Sequence, residues 1–303
     1  MTIIVTGASG QFGRAAAEQL IKLVPPGELV LTTRKPEQLA DLAAAGAQVR
    51  FANFDDPASL KTAFAGGDKM LLISTARVGT RVGQHKNAIE AAVAAGVKHI
   101  AYTSVVNADK PGNPAIVSWD HRDTEKLVEA SGAAFTHLRD NHYAEAVAMV
   151  MAPIALAVGR LPGSAHDGGE GFVSREDCVA AAVAVLTTPG HENKIYNLTG
   201  PAMVTIPQAM AMVSELSGKP IVYDYVTDED MQAHFDRLGF PRHASDGPID
   251  PARPWSSDDM VSFEQAIREG YFAVVSNDVQ TLTGKAPRPL RDVLIQYQGM
   301  WPA

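Results

Sequence analysis

The sequence predicts an α/β fold, a doubly wound parallel sheet with a smaller C-terminal lobe. Two observations carry that expectation. Short apolar strands alternate with amphipathic or alanine-rich helical stretches through the first half of the 303 residues, and a glycine-rich turn joins the first strand to the first helix.

The strands read IIVTG, ELVLTT, AQVRF, KMLLIS, HIAYTS and AFTHLR, with helical stretches near 12–24, 36–45, 57–65, 79–95 and 118–132. Strands this apolar, separated by helices, form a parallel sheet covered on both faces. Past Asn141 the rhythm fades. A helical run, a glycine-rich loop (GRLPGSAHDGGEG) and the helix holding Cys178 come next, then strands at KIYNL and IVYDYV. Residues 239–257, rich in Pro, Asp and Ser, read as an irregular surface excursion. Residues 1–150 are therefore expected to form the first domain and 151–303 a smaller lobe, with part of 174–200 packing back on the sheet.

Hydrophobic residues make up 46% of the chain and charged residues 20%, enough for a sizeable core. A net charge of -8 argues against a nucleic-acid surface, which needs a basic face. The single cysteine excludes an intramolecular disulfide and reads as a buried structural thiol. No basic leader precedes the first strand, and the longest apolar stretch, 146–159, is too short for a bilayer. The expectation is a cytoplasmic protein without membrane or nucleic-acid partners; a homo-oligomer stays open.

The turn reads Thr6-Gly7-Ala8-Ser9-Gly10-Gln11-Phe12-Gly13. Between a strand and a helix, such a pattern predicts dinucleotide binding of the Rossmann type. Gly7 makes the tight turn, Gly10 lets the backbone approach a diphosphate, and Gly13 permits close packing of the helix. The diphosphate then faces the free N–H groups and positive dipole end of the helix. The second strand ends Thr32-Thr33-Arg34-Lys35, with no acid to bind ribose hydroxyls. An arginine there suits a 2′-phosphate, so the expected cofactor is NADP(H). Asn53 follows the third strand within reach of adenine, and Ser74 and Thr75 follow the fourth beside the middle of the cofactor. Ser9 and Gly13 complete the glycine-loop contacts.

The segments VTGASGQFG, MLLIS, QHKNAIEAAVAAGVKHIAYTS, HRDTEKL, THLRDNHYAE and GHENKIYNL resemble the NmrA-like branch of atypical short-chain dehydrogenases, in particular its NADPH-dependent quinone and triphenylmethane reductases. The resemblance implies that Gly7, Gly10, Gln11, Phe12 and Arg34 hold the cofactor, with Asn53 where the family usually has Asp. It also implies that the loop Asp140-Asn141-His142-Tyr143 lies near nicotinamide and substrate, with Asn141 among the cofactor contacts. That family segment more often begins with Asn and has Trp third, so Asp140 and His142 make this pocket more polar.

Short-chain dehydrogenases acting on alcohols usually carry Tyr-x-x-x-Lys. No tyrosine here has lysine four residues later, and His121 and Glu125 occupy the expected slots. A simple ketone becomes a strongly basic alkoxide on reduction and needs a proton donor. A quinone becomes a phenolate-like anion, and a cationic dye becomes neutral. The missing dyad thus favours a conjugated, aromatic or quinone-like acceptor, reduced by hydride from NADPH. Tyr143 is the candidate for orienting the acceptor, and His121 for donating a proton unless it is a helix-surface histidine. Ser104 ends the fifth strand at the expected site edge. Trp119, Trp255 and Trp301 read as packing residues, with Trp255 in the excursion above the pocket. The competing readings are a dinucleotide-binding redox sensor without turnover and a tailoring oxidoreductase for a large aromatic natural product.

Overall fold

The structure is a computed structural model that describes residues 1–244, Asp250, Arg253 and 255–302. Its first half alternates as expected: β1 (Ile3–Val5), α1 (Gln11–Leu20), β2 (Leu29–Thr33), α2 (Ala40–Ala44), β3 (Gln48–Phe51), α3 (Pro57–Ala63), β4 (Lys69–Leu72), α4 (Val82–Ala94), β5 (His99–Val105), α5 (Ile116–Glu129) and β6 (Ala134–Asp140). Past β6 the chain forms α6 (Ala144–Ala146), a π-helical turn (Val147–Met151) and α7 (Ala152–Val158), then β7 (Arg160–Gly163), β8 (Gly169–Glu170), α8 (Arg175–Thr187) and β9 (Lys194–Leu198). The remainder comprises β10 (Val204–Thr205), α9 (Ile206–Ser217), β11 (Val222–Tyr225), α10 (Asp228–Arg237), α11 (Ser257–Arg268), α12 (Asp278–Thr283) and α13 (Leu290–Tyr297).

Seven parallel strands pair in the order β3-β2-β1-β4-β5-β6-β9. The order reverses between β1 and β4, and in sheets of this kind ligands bind at the carboxyl edge beside that switch. Alternating side chains feed two cores. Ile3, Val5, Leu31, Leu71 and Leu138 pack with α1 and α8; Ile4, Val30, Met70, Ile100 and Tyr102 pack with α3, α4 and α5. Residues 174–200 return to the sheet, since α8 covers one face and β9 extends its edge. A third core, including Ala148, Phe172, Met210, Phe272 and Leu294, joins the C-terminal elements to the end of β5 through Val105 and Val106.

The glycine-rich segment 159–171 is not the plain loop expected. It contains β7, parallel to β11, and β8, antiparallel to β10. Pro162 and the glycines hide these strands, and two-stranded ribbons tolerate Pro because one side of each strand needs no partner. The excursion at 239–257 lies partly outside the described residues. None of the described helices is long and apolar enough to cross a membrane.

Gly7 has φ +58°, a left-handed conformation that glycine adopts without strain. A Cβ on Gly13 would lie 2.5 Å from the Gly7 carbonyl oxygen and 2.8 Å from Ala8 Cα, both rigid backbone. Gly13→Ala should therefore destabilise the fold by about 1–3 kcal/mol in urea unfolding. Gly83→Ala, in α4 with nothing within 4 Å of the added carbon, should be neutral or slightly stabilising. Similar midpoints for the two variants would contradict this account of the turn.

Candidate active site

The site is built on the carboxyl ends of β1, β2, β3 and β4. A cleft of about 670 Å³ runs from Ala52–Phe54 across the glycine turn to Ile73–Arg77. Gly7, Ser9, Gly10, Gln11, Phe12, Gly13, Arg34, Asn53, Ser74 and Thr75 all line it. Helix α1 opens at Gln11 without a capping side chain, which leaves first-turn N–H groups directed at the cleft. A Cβ on Gly10 would be 3.3 Å from the Gly7 carbonyl, a modest crowding, so the stronger demand for glycine there is room for a ligand. Ser9 and Thr33 hydroxyls, 2.6 Å apart, tie the turn to the end of β2. Arg34 is exposed at the rim and makes no ion pair among the described residues. Lys35 is exposed beside it but does not line the cleft.

The loop after β4 is rigidly held. Ser74 N–H donates to Thr103 Oγ1 at 2.9 Å, and Thr75 N–H to His85 Nε2 at 3.1 Å. Burial, with the nearby Arg81 charge, lowers His85 to about 3, so its ring is neutral. Since Nε2 accepts, the proton sits on Nδ1 and is donated to Thr124 Oγ1. Arg81 donates to the Thr75 carbonyl and lies 3.2 Å from Asp120, whose carboxylate also accepts from Gly79 N–H. Gln84 bridges the cleft wall, accepting from the Thr75 hydroxyl and donating to Asp55. Asn53 accepts from Asp55 N–H, and its amide nitrogen has no partner among the described residues. The polar frame, the glycine cradle and the free guanidinium fit a phosphorylated dinucleotide.

Three predicted residues are placed differently. His121 neither lines the cleft nor lies on the helix surface: it is buried under α5, its Nδ1 2.8 Å from the Tyr102 hydroxyl. Burial, with Arg81 and His85 adding to it, pushes its pKa well below the usual histidine range, so it holds no ready proton. Asn141 is also buried. Its amide donates to the Phe272 and Val274 carbonyls and its oxygen accepts from His142 N–H, a structural tie to the C-terminal lobe. Tyr143 donates its hydroxyl proton to Asp140, and the Arg175 guanidinium lies 5.3 Å from its ring centroid. Burial and the Asp140 charge raise Tyr143 well above 10, so the hydroxyl keeps its proton and commits it to the hydrogen bond with Asp140.

The lysine slot is closed as well. Glu125 receives a bidentate pair from Arg139 at 2.9 and 2.6 Å, and the Ser104 hydroxyl donates to it at 2.6 Å. Trp119 and Trp301 donate to the Asn113 and Ala148 carbonyls, as packing residues do, and Trp255 is partly exposed. Cys178 is fully buried beside Asp140, which, after burial itself, raises its thiol.

With this geometry described, the comparisons decide the family. A family model described as NAD(P)H-binding matches residues 7–189. The chain belongs to that family. It is 41% identical to quinone oxidoreductase 2 of Escherichia coli over 244 residues, 80% of this chain and 84% of that one. The solved structure of the Escherichia coli NADPH-dependent quinone oxidoreductase with NADPH superposes with a TM-score of 0.88 at 35% identity, covering 97% of this chain and 99% of that one. Triphenylmethane reductase from Citrobacter sp. gives 0.85 at 31% identity, covering 99% of this chain and all of that one. The resemblance to NmrA-like reductases and the Rossmann-type fold are thereby borne out.

Burial raises Asp140 to about 7, with hydrogen bonds from Tyr143 and Cys178 opposing the shift, and its Oδ1 has no partner among the described residues. An unfolded aspartate titrates near ~3.9. The folded state thus binds the extra proton between the two values, so the stability this group contributes below about pH 4 is lost as pH rises through about 7. Asp140→Asn, whose amide oxygen still accepts from Tyr143, should raise Tm relative to wild type by at least about 2 °C near pH ~8. The gain should shrink near pH ~5. A Tm difference independent of pH would contradict the assignment.

Proposed function

We propose that this chain is an NADPH-dependent reductase whose acceptor is a small conjugated organic molecule of the quinone type. The observation that carries the reading is the closed slot on α5. Where a tyrosine–lysine dyad would protonate an alkoxide, His121 is spent on Tyr102, and Glu125 on Arg139 and Ser104. The names of the relatives at 41% and 31% identity, a quinone reductase and a dye reductase, point the same way.

Gly7, Gly10, Gln11 and the α1 N-terminus would hold the diphosphate, Arg34 the 2′-phosphate, and Asn53 the adenine. When bound, NADPH supplies a hydride. The residues do the rest by position: the loop pinned through Arg81, His85 and Gln84 keeps Ser74 and Thr75 fixed, so that little reorganisation accompanies binding. Proximity then provides most of the rate. Simple ketones, intrinsically weaker hydride acceptors than quinones and without a donor from α5, should react at least about a hundredfold more slowly. Comparable rates for cyclohexanone and benzoquinone would overturn the reading.

Cofactor choice has its own test. Arg34→Ala should weaken NADPH binding by about 1.5–3 kcal/mol and leave NADH nearly unchanged, as measured by fluorescence titration. Equal losses for both would remove the 2′-phosphate from Arg34.

A further inference from the structure

The polar departure His142 is not idle. It follows the carboxyl end of β6, its backbone fixed by Asn141 and Val173. Its ring lies between Phe172 and Phe263, with centroids 5.3 and 5.0 Å away. Nδ1 is 2.9 Å from Glu170 Oε2, and the histidine side chain is 16% exposed while that of Glu170 is fully buried. Glu170 Oε1 has no partner among the described residues, so His142 is the contact that compensates this carboxylate. Nε2 of His142 makes no hydrogen bond to the described protein, which leaves it the open end of the pair. A buried carboxylate that orients an imidazole through Nδ1 and frees Nε2 is the arrangement general acid–base catalysis requires.

Resting on the quinone-type reading, we propose that His142, oriented by Glu170, is the proton donor to the reduced acceptor, and that the preferred acceptor is a neutral conjugated carbonyl rather than a cationic dye. Hydride from NADPH carries two electrons to the quinone, leaving NADP+ and a hydroquinone monoanion. The His142 Nε2–H bond then breaks as the phenolic O–H bond forms, and the ring, neutral with its proton on Nδ1, is reprotonated from solvent. A triphenylmethane cation accepts the same hydride and becomes neutral, so it has no use for this proton. The donor thus comes from the loop after β6, at the carboxyl edge of the sheet that carries the cleft, and not from the closed slot on α5.

The test uses His142→Phe, which keeps an aromatic ring between Phe172 and Phe263, and Glu170→Gln. For the full-length protein with NADPH, the ratio of kcat for benzoquinone to kcat for malachite green should fall about a hundredfold in His142→Phe, the lower end of what a general acid contributes. It should fall in the same direction, by less, in Glu170→Gln. A second readout needs no turnover: 15N spectra of histidine-labelled protein should show neutral His142 protonated on Nδ1, a preference weakened in Glu170→Gln. An unchanged ratio in a folded His142→Phe variant that binds NADPH, or a neutral ring protonated on Nε2, would overturn the proposal. Silence of the wild-type protein toward both acceptors, with NADPH bound, would overturn the underlying function as well.

Discussion

The ion pair between Glu125 and Arg139 is the constraint around which the carboxyl edge of the sheet is organised. Both side chains are buried, and Ser104 and Asp109 complete their hydrogen bonding. Breaking such a pair by removing one partner leaves an uncompensated charge and costs about 3–5 kcal/mol. It therefore locks α5, β5 and β6 together. In doing so it occupies the position from which related folds present a lysine, and so decides what chemistry α5 can offer. His121, one turn earlier on α5, closes the rest of that surface through its hydrogen bond to Tyr102 of β5.

The two sides of the site consequently differ. Toward α4 and α5, buried polar groups hold the loop after β4: His85 pairs with Thr75, Arg81 with Asp120 and the Thr75 carbonyl, and Asp120 with Gly79. Toward the C-terminal lobe, polar capacity is left over. Asp140 and Glu170 each keep one oxygen unpaired among the described residues, and both lie beside residues of the loop that follows β6.

Much of this was legible in the sequence, for local reasons. Strand alternation, the glycine turn and the arginine ending β2 are contiguous patterns whose meaning depends on nearest neighbours. The cofactor residues from Gly7 to Thr75 come together on the cleft because each follows a strand of one parallel sheet. What was not legible depends on distant partners. Asn141 looked like a ligand contact, but its amide is claimed by carbonyls 131 and 133 residues away. By analogy of position His121 belongs at the reacting edge, whereas its helical face turns inward onto Tyr102. The pairing of His142 with Glu170, 28 residues on, could not be read because glycines concealed the strand that holds Glu170. Tyr143 illustrates the remaining difficulty: a tyrosine three residues from an aspartate gives no sign that its hydroxyl is already engaged as a donor to that aspartate.

The central claim is that the cleft transfers reducing equivalents and does not merely hold a dinucleotide. Anaerobic mixing of the NADPH-loaded protein with one equivalent of benzoquinone tests it directly, by following the ultraviolet absorbance of reduced nicotinamide in a single turnover. The account predicts loss of that absorbance with hydroquinone formed in equal amount, faster than in a protein-free control. Firm NADPH binding with no loss above the control would contradict it and identify the chain as a sensor of the dinucleotide.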